Sequence, residues 1–290
     1  MYQLFLDYIT FEKRYSNHTV IAYENDLKQF AVFSDITILK EFETISASSI
    51  RSWIVAQIDD GLTNKSVNRK IATLRTFFKW LRKEGKIKLN PMAKIKGPKS
   101  EKRLPVFAKE SELEPSKLNP LFENNFEGLR NQLIFEVFYQ TGIRLSELIN
   151  LKEKDITAQN IKVLGKRNKE RIIPISSDLS SKIAVYRLEK KKCIGETNQL
   201  FVLKNGKPMY PTFVYRKINL YLGLVTNLDK KSPHILRHTF ATHMLNRGSG
   251  LETLKDLLGH ASLTATQVYT HNSFAQLNAI YSQAHPRGKK

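Results

Sequence analysis

Between residues 64 and 85, apolar and basic residues separate onto two faces of one helix. The apolar positions recur at steps of three and four, the period of an α-helix with one buried side. Asn64 is a residue type that begins helices, and Gly85 is one that ends them. The segment therefore predicts a long amphipathic helix, and the first hundred residues as a whole have a helical pattern. The apolar positions are Val67, Ile71, Leu74, Phe78 and Leu81.

The opposite face of this helix is basic. Glu84 is the only acidic residue between Lys65 and Gly85. A face that only keeps a protein soluble mixes the two signs of charge, so the pattern favours contact with DNA phosphates over a solvated surface. The candidate DNA-binding residues on this face are Lys65, Arg69, Arg75, Lys79, Arg82 and Lys83.

The whole chain shares this excess of positive charge, with a formal net charge of +20 over 290 residues. A chain this basic favours a polyanionic partner, and nucleic acid is the usual one because each neutralised phosphate releases counterions. An anionic membrane is the alternative, but it needs a long helix with an exposed apolar face opposite the basic one. Solvated surface charge is the remaining explanation. The positions of the charges along the chain must distinguish these three explanations.

Composition excludes several classes of protein. A hydrophobic share of 41% is enough for a core and excludes a disordered chain. A single cysteine, Cys193, excludes a disulfide scaffold and a cysteine-rich zinc site. The chain has no run of about 18 apolar residues, and its first residues lack a basic leader. We therefore expect no membrane span, no signal peptide and a cytoplasmic location.

A basic segment with glycine and proline at its ends divides the chain. Gly97-Pro98 and Pro105 bracket residues that are basic and poor in apolar side chains, as is typical of a linker. We predict a helical DNA-binding domain over residues 1–97, a basic linker over 98–105 and a second domain over 106–290. A positive linker suits a chain that wraps around a duplex.

The second domain has a mixed pattern. Its first clear helix runs from Gly128 to Gln140 and ends at a glycine. Residues 160–164 alternate as a strand does, residues 165–169 have the composition of a turn, and residues 170–175 return as a second strand. Helical patterns fill most of the rest. The fold class predicted for the whole chain is therefore mainly α with a small antiparallel β-sheet.

The first residues that suggest chemistry lie at the start of a short helix and in the hairpin. Arg144 and Glu147 are three residues apart, so in a helical turn they share one face. They form either a surface ion pair of little energetic value or an arginine fixed by a carboxylate so that its fork meets phosphate in one geometry. Lys166 and Arg167 lie at the hairpin tip. Most turn lysines are only solvated, but one on a basic hairpin can enter a DNA groove and protonate a leaving oxygen.

A second group lies on a later helix. His234 and His238 have the i, i+4 spacing of a metal pair, but Ile235 stands where the zinc-protease pattern needs glutamate, and Arg237 on the same face repels a cation. His234 with Arg237 is better suited to gripping a phosphate. The structural alternative is a histidine satisfied by backbone groups near the start of a helix.

His260 and Tyr269 complete the set, although a tyrosine with apolar neighbours is more often part of a core or an interface. Two arginines, a lysine, two histidines and a tyrosine are what metal-free attack on a phosphodiester needs. Fixed guanidinium groups stabilise charge on the phosphate oxygens, a donor protonates the 5′-oxygen, and a hydroxyl with a base nearby is the nucleophile. The sequence has no GxxxxGK[ST] loop and no GxGxxG run, which agrees with a reaction that requires no nucleotide, so we expect no cofactor. Because Ile235 and Arg237 argue against a metal at the histidine pair, we also expect no metal.

In this order the clusters resemble the boxes of the tyrosine recombinase (phage-integrase-type) family, and within it the Xer group. TGIRLSEL resembles the first box, GKRNKERIIPI the β-hairpin, HILRHTFATHML the second box and LLGHASLTATQVYTH the third. The resemblance covers nearly the whole chain. It implies an N-terminal helical core-binding (SAM-like) domain and a C-terminal, mainly helical catalytic domain with a small antiparallel β-sheet.

The resemblance implies which residues hold the DNA phosphate. Arg144 and Arg237 would clamp the scissile phosphate, and Glu147 would orient Arg144. Lys166 would be the general acid toward the leaving 5′-hydroxyl. Arg167 stands where the family often has glycine, and it joins the candidate DNA-binding residues.

The remaining roles follow in the same way. Tyr269 would be the nucleophile that forms a 3′-phosphotyrosyl link. His234 and His260 would hydrogen-bond the phosphate and assist proton transfer, whereas His238 and His271 match supporting positions.

The resemblance also implies an assembly on double-stranded DNA. Four protomers, of one chain or shared with a sister recombinase, would join two duplexes at a specific site and exchange strands through a Holliday junction. The implied role is resolution of chromosome dimers in the nucleoid, with a DNA translocase as a further candidate partner. Residues 274–281 resemble a segment that docks onto a neighbouring subunit; the alternative is that they fold back on their own domain.

Three other functions stay open at this point. A non-enzymatic DNA-binding protein explains the charge but not the four boxes. A type IB topoisomerase shares the chemistry but acts as a monomer. An integrase of a mobile element differs in its target and not in its chemistry.

Overall fold

A computed structural model describes residues 2–99, 106–165, 170–259 and 279–288. The chain divides into two compact units, Met1–Arg103 and Leu104–Lys290, each with its own hydrophobic core. The roles assigned to these units and to the linker at residues 98–105 stay predictions. Within the described residues, no helix combines the length and the apolar character needed to cross a membrane.

Unit 1 is helical, as the sequence predicts. Helix α1 (Gln3–Asp7) continues into a wider π-helical turn (Tyr8–Glu12). Its other elements are α2 (Asn17–Phe33), a short helix at Leu39–Thr44, α3 (Ala47–Asp59) and α4 (Asn64–Lys83). Helix α4 is the predicted amphipathic helix, and the Thr63 hydroxyl caps it by accepting from the Ser66 N–H.

The core of unit 1 is aromatic. The centroid of the Phe77 ring lies 4.9 Å from that of the Phe42 ring and 5.1 Å from that of the Phe5 ring, and both pairs pack edge to face. The rings of Phe30 and Trp53 meet in the same way at 5.1 Å. Edge-to-face packing places a positive ring edge on a negative ring face, so these contacts add to the burial of apolar area. One face of α4 is thereby fixed inward and its basic face outward.

Unit 2 is built around two buried helices and carries a small sheet. The helices of its described part include α5 (Pro115–Leu118), α6 (Phe126–Thr141), α7 (Leu145–Ile149), α8 (Ser177–Cys193), α9 (Pro211–Val225), α10 (Pro233–Asn246) and α11 (Leu251–Leu258). Most of α6 is buried, and α10 packs against it. The polar side chains that α6 buries, such as Arg130 and Glu136, have hydrogen-bond partners inside the unit.

The predicted hairpin is confirmed in its two strands. Strands β1 (Asn160–Leu164) and β2 (Glu170–Pro174) pair antiparallel, and Val163 lies opposite Arg171. Along β2 the side chains of Arg171 and Ile173 point into the protein. The turn at residues 166–169 lies outside the described residues.

Gly142 forms the turn between α6 and α7. Its φ is +60°, and its N–H donates to the Phe138 carbonyl at 2.9 Å, which caps α6. A Cβ at this position would lie 2.5 Å from the Phe240 ring and 2.9 Å from Leu258. Glycine is therefore required both for its conformation and for the close approach of α10 and α11.

The described part of the C-terminus, residues 279–288, packs onto its own unit. Tyr281 is buried and stacks on the ring of His285 at 5.1 Å. Arg287 pairs with the buried carboxylate of Glu136 and lies over the Tyr139 ring. In a single chain these residues therefore fold back, which was the alternative to docking; docking of residues 274–281 on a neighbouring subunit stays a prediction.

We expect Gly142→Ala to destabilise unit 2 by more than the cost of a positive φ alone, which is about 1–2 kcal/mol. The added methyl also clashes with Phe240 and Leu258. Gly195→Ala is the control, because Gly195 also has a positive φ but open space around it. Urea unfolding followed by circular dichroism measures the difference. Equal losses for the two variants would show that the close approach contributes nothing.

We expect the stability of unit 2 to fall as the pH drops below about 6.5. Burial lowers the pKa of His285 from 6.5 to about 3. The unfolded ring takes up a proton near pH 6.5 but the folded ring does not, so each pH unit between these values costs up to about 1.4 kcal/mol. Thermal unfolding at pH 7 and pH 5 should show a smaller pH effect in His285→Asn than in the parent protein. An unchanged pH effect in His285→Asn would contradict this.

Candidate active site

Arg144 and Glu147 form a local unit at the start of α7. The turn at Gly142 brings Arg144 to the N-terminal cap of α7, where its backbone N–H donates to Glu147 Oε2 at 2.7 Å. Its Nη1 donates to Glu147 Oε1 at 2.8 Å. The carboxylate holds the backbone and side chain of the same arginine, so the Arg144 fork has a fixed direction.

A third side chain completes this arrangement. Arg171 on β2 donates from Nη1 and Nη2 to the two oxygens of Glu147, each at 2.8 Å. The side chains of Glu147 and Arg171 are 3% and 5% exposed, whereas that of Arg144 is 31% exposed. Only Arg144 of the three therefore presents a substantial part of its side chain to solvent.

Glu147 stays ionised in this position. Burial opposes the charged form, but the hydrogen bonds and positive charge of Arg171, and then the hydrogen bonds from Arg144, outweigh burial and lower the pKa of Glu147 to about 2. The cluster therefore carries one negative charge among its arginines at any pH near neutrality.

Arg237 enters the same place from α10. Its Nη1 donates to the Gly142 carbonyl and its Nη2 to the Leu258 carbonyl, the latter at 2.8 Å. Burial, followed by the positive charges of Arg144 and Arg171, lowers the pKa of Arg237 to about 10. The side chain is thus cationic at neutral pH and is held against the same turn that positions Arg144.

Three arginines hold the end of α11. Arg171 Nε donates to the Leu257 carbonyl, Arg237 to Leu258 and Arg144 Nη2 to Gly259, each at 2.8 Å. The last carbonyls of a helix lack partners within it and form the negative end of its dipole, so cations are stabilised there. Gly259, with a φ of +63°, directly precedes His260 in the sequence.

Two predicted histidines lie on α10 beside Arg237. His234 and His238 are exposed. Partial burial, and then the charges of His234 and Arg237, lower the pKa of the His238 ring, so its neutral form is favoured. Within the part of the chain that the structure describes, no three histidine, cysteine or acidic side chains form a cluster that could hold a metal ion.

The structure thus brings together Arg144, Glu147 and Arg237, which the sequence places in separate boxes. The other predicted residues, Lys166, Arg167, His260, Tyr269 and His271, lie outside the described residues. Their roles stay predictions.

Arg171 is a residue that sequence reasoning missed, although a signal was present. In the predicted second strand it has the same phase as Ile173, so alternation places it on the buried face. A buried arginine needs a paired charge, and Glu147 is that partner.

All six candidate DNA-binding residues of α4 are exposed. Some of them also have partners within unit 1. Arg69 donates to both oxygens of the buried Asp26, at 2.5 and 2.8 Å. Arg75 donates to the Ile95 carbonyl at 3.2 Å. Contact between this face and DNA stays a prediction.

Two family models match this chain. The phage integrase family matches residues 111–276, and the phage integrase N-terminal SAM-like domain matches residues 2–85.

Curated relatives match over nearly the full length. Tyrosine recombinase XerC of Staphylococcus haemolyticus is 39% identical, with 99% of this chain and 97% of the relative covered. Tyrosine recombinase XerC of Thermodesulfovibrio yellowstonii is 38% identical, with 99% and 96% covered.

Solved structures share the fold. XerH site-specific recombinase, in a post-cleavage complex with its palindromic difH substrate, has a TM-score of 0.72 at 23% identity, covering 91% of this chain and 79% of XerH. The lambda integrase tetramer bound to a Holliday junction has a TM-score of 0.66 at 21% identity, covering 91% and 78%. By its family matches and its full-length relatives, this chain belongs to the phage integrase family of tyrosine recombinases.

Proposed function

We propose that this protein is a site-specific DNA recombinase that cuts and rejoins DNA strands through a phosphotyrosine formed by Tyr269. The observation that carries the proposal is the convergence of Arg144 and Arg237 on the carbonyls of Leu258 and Gly259. The guanidinium groups of Arg144 and Arg237 thus bind neighbouring carbonyls directly before the segment of the sequence that contains His260 and Tyr269.

The arginines supply the electrostatic part of the reaction. Attack on a phosphodiester puts additional negative charge on the non-bridging oxygens, and guanidinium forks that are already in position stabilise that charge without reorganising. Arg144 has room for this because almost a third of its side chain is exposed. Glu147 keeps the fork directed, since both its oxygens hold Arg144.

Tyr269 and Lys166 supply the covalent and proton-transfer steps. The tyrosine oxygen forms a bond to phosphorus while the bond from phosphorus to the 5′-oxygen breaks. The tyrosine proton passes to a neighbouring base, with His234 and His260 assisting, and Lys166 protonates the departing 5′-oxygen. The phosphotyrosine retains the energy of the original bond, so attack by another 5′-hydroxyl rejoins the strand without a nucleotide.

In this proposal, unit 1 binds the DNA duplex. The exposed lysines and arginines of α4 form a basic surface above an aromatic core. Such a surface binds the phosphate backbone through counterion release, so binding should weaken as salt rises.

The biological role that we propose rests on similarity to the relatives. Full-length similarity to proteins named XerC supports resolution of chromosome dimers in the cytoplasm, at a fixed chromosomal site. The fold shared with a lambda integrase tetramer on a Holliday junction supports assembly of four protomers on two duplexes. A sister recombinase and a DNA translocase are the further partners that we propose.

We expect the purified protein to form a covalent adduct with DNA that Tyr269→Phe abolishes, because phenylalanine has no hydroxyl. Sequencing the adducts formed on genomic DNA maps the site. A nicked synthetic duplex of that site then traps the adduct, since the short 5′-hydroxyl product diffuses away.

Tyr210→Phe is the matched control, because it removes an exposed hydroxyl from the same unit. An adduct that persists in Tyr269→Phe would show that the nucleophile is another residue. Strand exchange between two copies of the mapped site separates a recombinase from a topoisomerase, which relaxes supercoils without pairing sites.

We expect Lys166→Ala to slow cleavage by about 10²–10⁴-fold, the usual contribution of a general acid. A substrate with sulfur in place of the bridging 5′-oxygen should restore the rate, because a thiolate leaves without a proton. Lys162→Ala is the control, since Lys162 pairs with Glu170 on the same hairpin. If sulfur does not restore the rate, Lys166 is not the acid.

A further inference from the structure

In contrast to Arg144, whose side chain is 31% exposed, Arg171 is almost entirely buried. Its side chain is only 5% exposed. All three of its nitrogen atoms donate inside the protein: Nη1 and Nη2 to Glu147 and Nε to the Leu257 carbonyl. A guanidinium in this position has its fork occupied and is shielded from DNA.

Arg171 and its two partners belong to three separate parts of the chain. Arg171 lies in β2, which begins directly after the loop that holds Lys166. Glu147 lies in α7 and directs Arg144, while Leu257 lies in the last turn of α11, three residues before His260. One side chain thus ties together the strand that follows Lys166 in the sequence, the helix that begins at Arg144 and the helix that ends before His260.

The position is costly for a residue with only a packing role. Removing a guanidinium from water carries a large desolvation penalty that only good geometry and full hydrogen bonding offset. Arg144 already supplies two of the donors that Glu147 receives, through its backbone and its side chain. The second guanidinium therefore adds rigidity to a carboxylate that is already paired. The direction of the Arg144 fork depends on that carboxylate, and small misplacements of a reactive group slow a reaction strongly.

We propose that Arg171 is a positioning residue of the strand-transfer site: through Glu147 and the Leu257 carbonyl it holds Arg144 and the end of α11 in the arrangement that receives the scissile phosphate. The inference rests on the proposed function. It assigns Arg171 no contact with DNA and no proton transfer.

The Arg171→Lys variant tests this, because lysine keeps the positive charge but has one nitrogen and no fork. On the nicked duplex of the mapped site, we expect the single-turnover rate at saturating DNA to fall by about 10–100-fold, as for other buried groups that orient a reactive residue. The dissociation constant for the same duplex should stay within about threefold, because the residue does not touch DNA.

Arg130→Lys is the matched control. Arg130 is also buried in unit 2, where it donates to the Val202 carbonyl and to the Asn131 side chain, away from Glu147. If Arg171 were only structural, both variants would lower the thermal stability and neither would change the cleavage rate of folded protein. The two tryptophans, Trp53 and Trp80, lie in unit 1. Their fluorescence therefore checks that unit 1 stays intact in each of these unit 2 variants.

Coupling with Glu147 gives a second, independent measurement. If Arg171 acts through Glu147, adding Arg171→Lys to Glu147→Gln or to Glu147→Asp will slow cleavage little beyond the slower single variant. Rate losses that multiply would overturn the proposal, as would a wild-type cleavage rate in Arg171→Lys. Failure of the parent protein to form any adduct would instead overturn the proposed function.

Discussion

The buried carboxylate of Glu147 is the point at which Arg144 and Arg171, from two distant parts of unit 2, are joined. It receives the backbone N–H and one side-chain nitrogen of Arg144, and both terminal nitrogens of Arg171. Each of its oxygens has a donor from each arginine. Moving either arginine therefore leaves a buried charge with unmet hydrogen bonds, which is among the costliest changes a core can undergo.

The end of α11 extends this constraint to the rest of the site. Its final carbonyls point at three cations, one from each of α7, α10 and β2. The helix dipole and these carbonyls stabilise positive charge without neutralising it, because they are dipoles and not ions. Three guanidinium groups with a single carboxylate leave an excess of positive charge, and this excess is what a phosphate would meet.

The interior of unit 1 is stabilised by a different kind of interaction. Its interior is held by aromatic rings packed edge to face, and its basic residues remain outside. The Lys70 side chain of α4 is nevertheless buried, near the Trp53 ring and the Asp26 carboxylate. Burial lowers the pKa of Lys70. The exposed face of α4 is thus a row of basic side chains on one helix, as suits contact with a uniform backbone of phosphates.

The sequence by itself determined the helical character of both units, the strands of the hairpin and the family, because periodicity, turn residues and ordered boxes are local patterns. It also placed Arg144 with Glu147, since two residues three positions apart in one helical turn lie close together. It did not find the partnership of Glu147 with Arg171, 24 residues away, or the carbonyls that Arg144 and Arg237 share on α11. Those contacts join segments distant in the chain, so only the packing of α10, α11 and the hairpin in the tertiary structure determines which buried charges are paired.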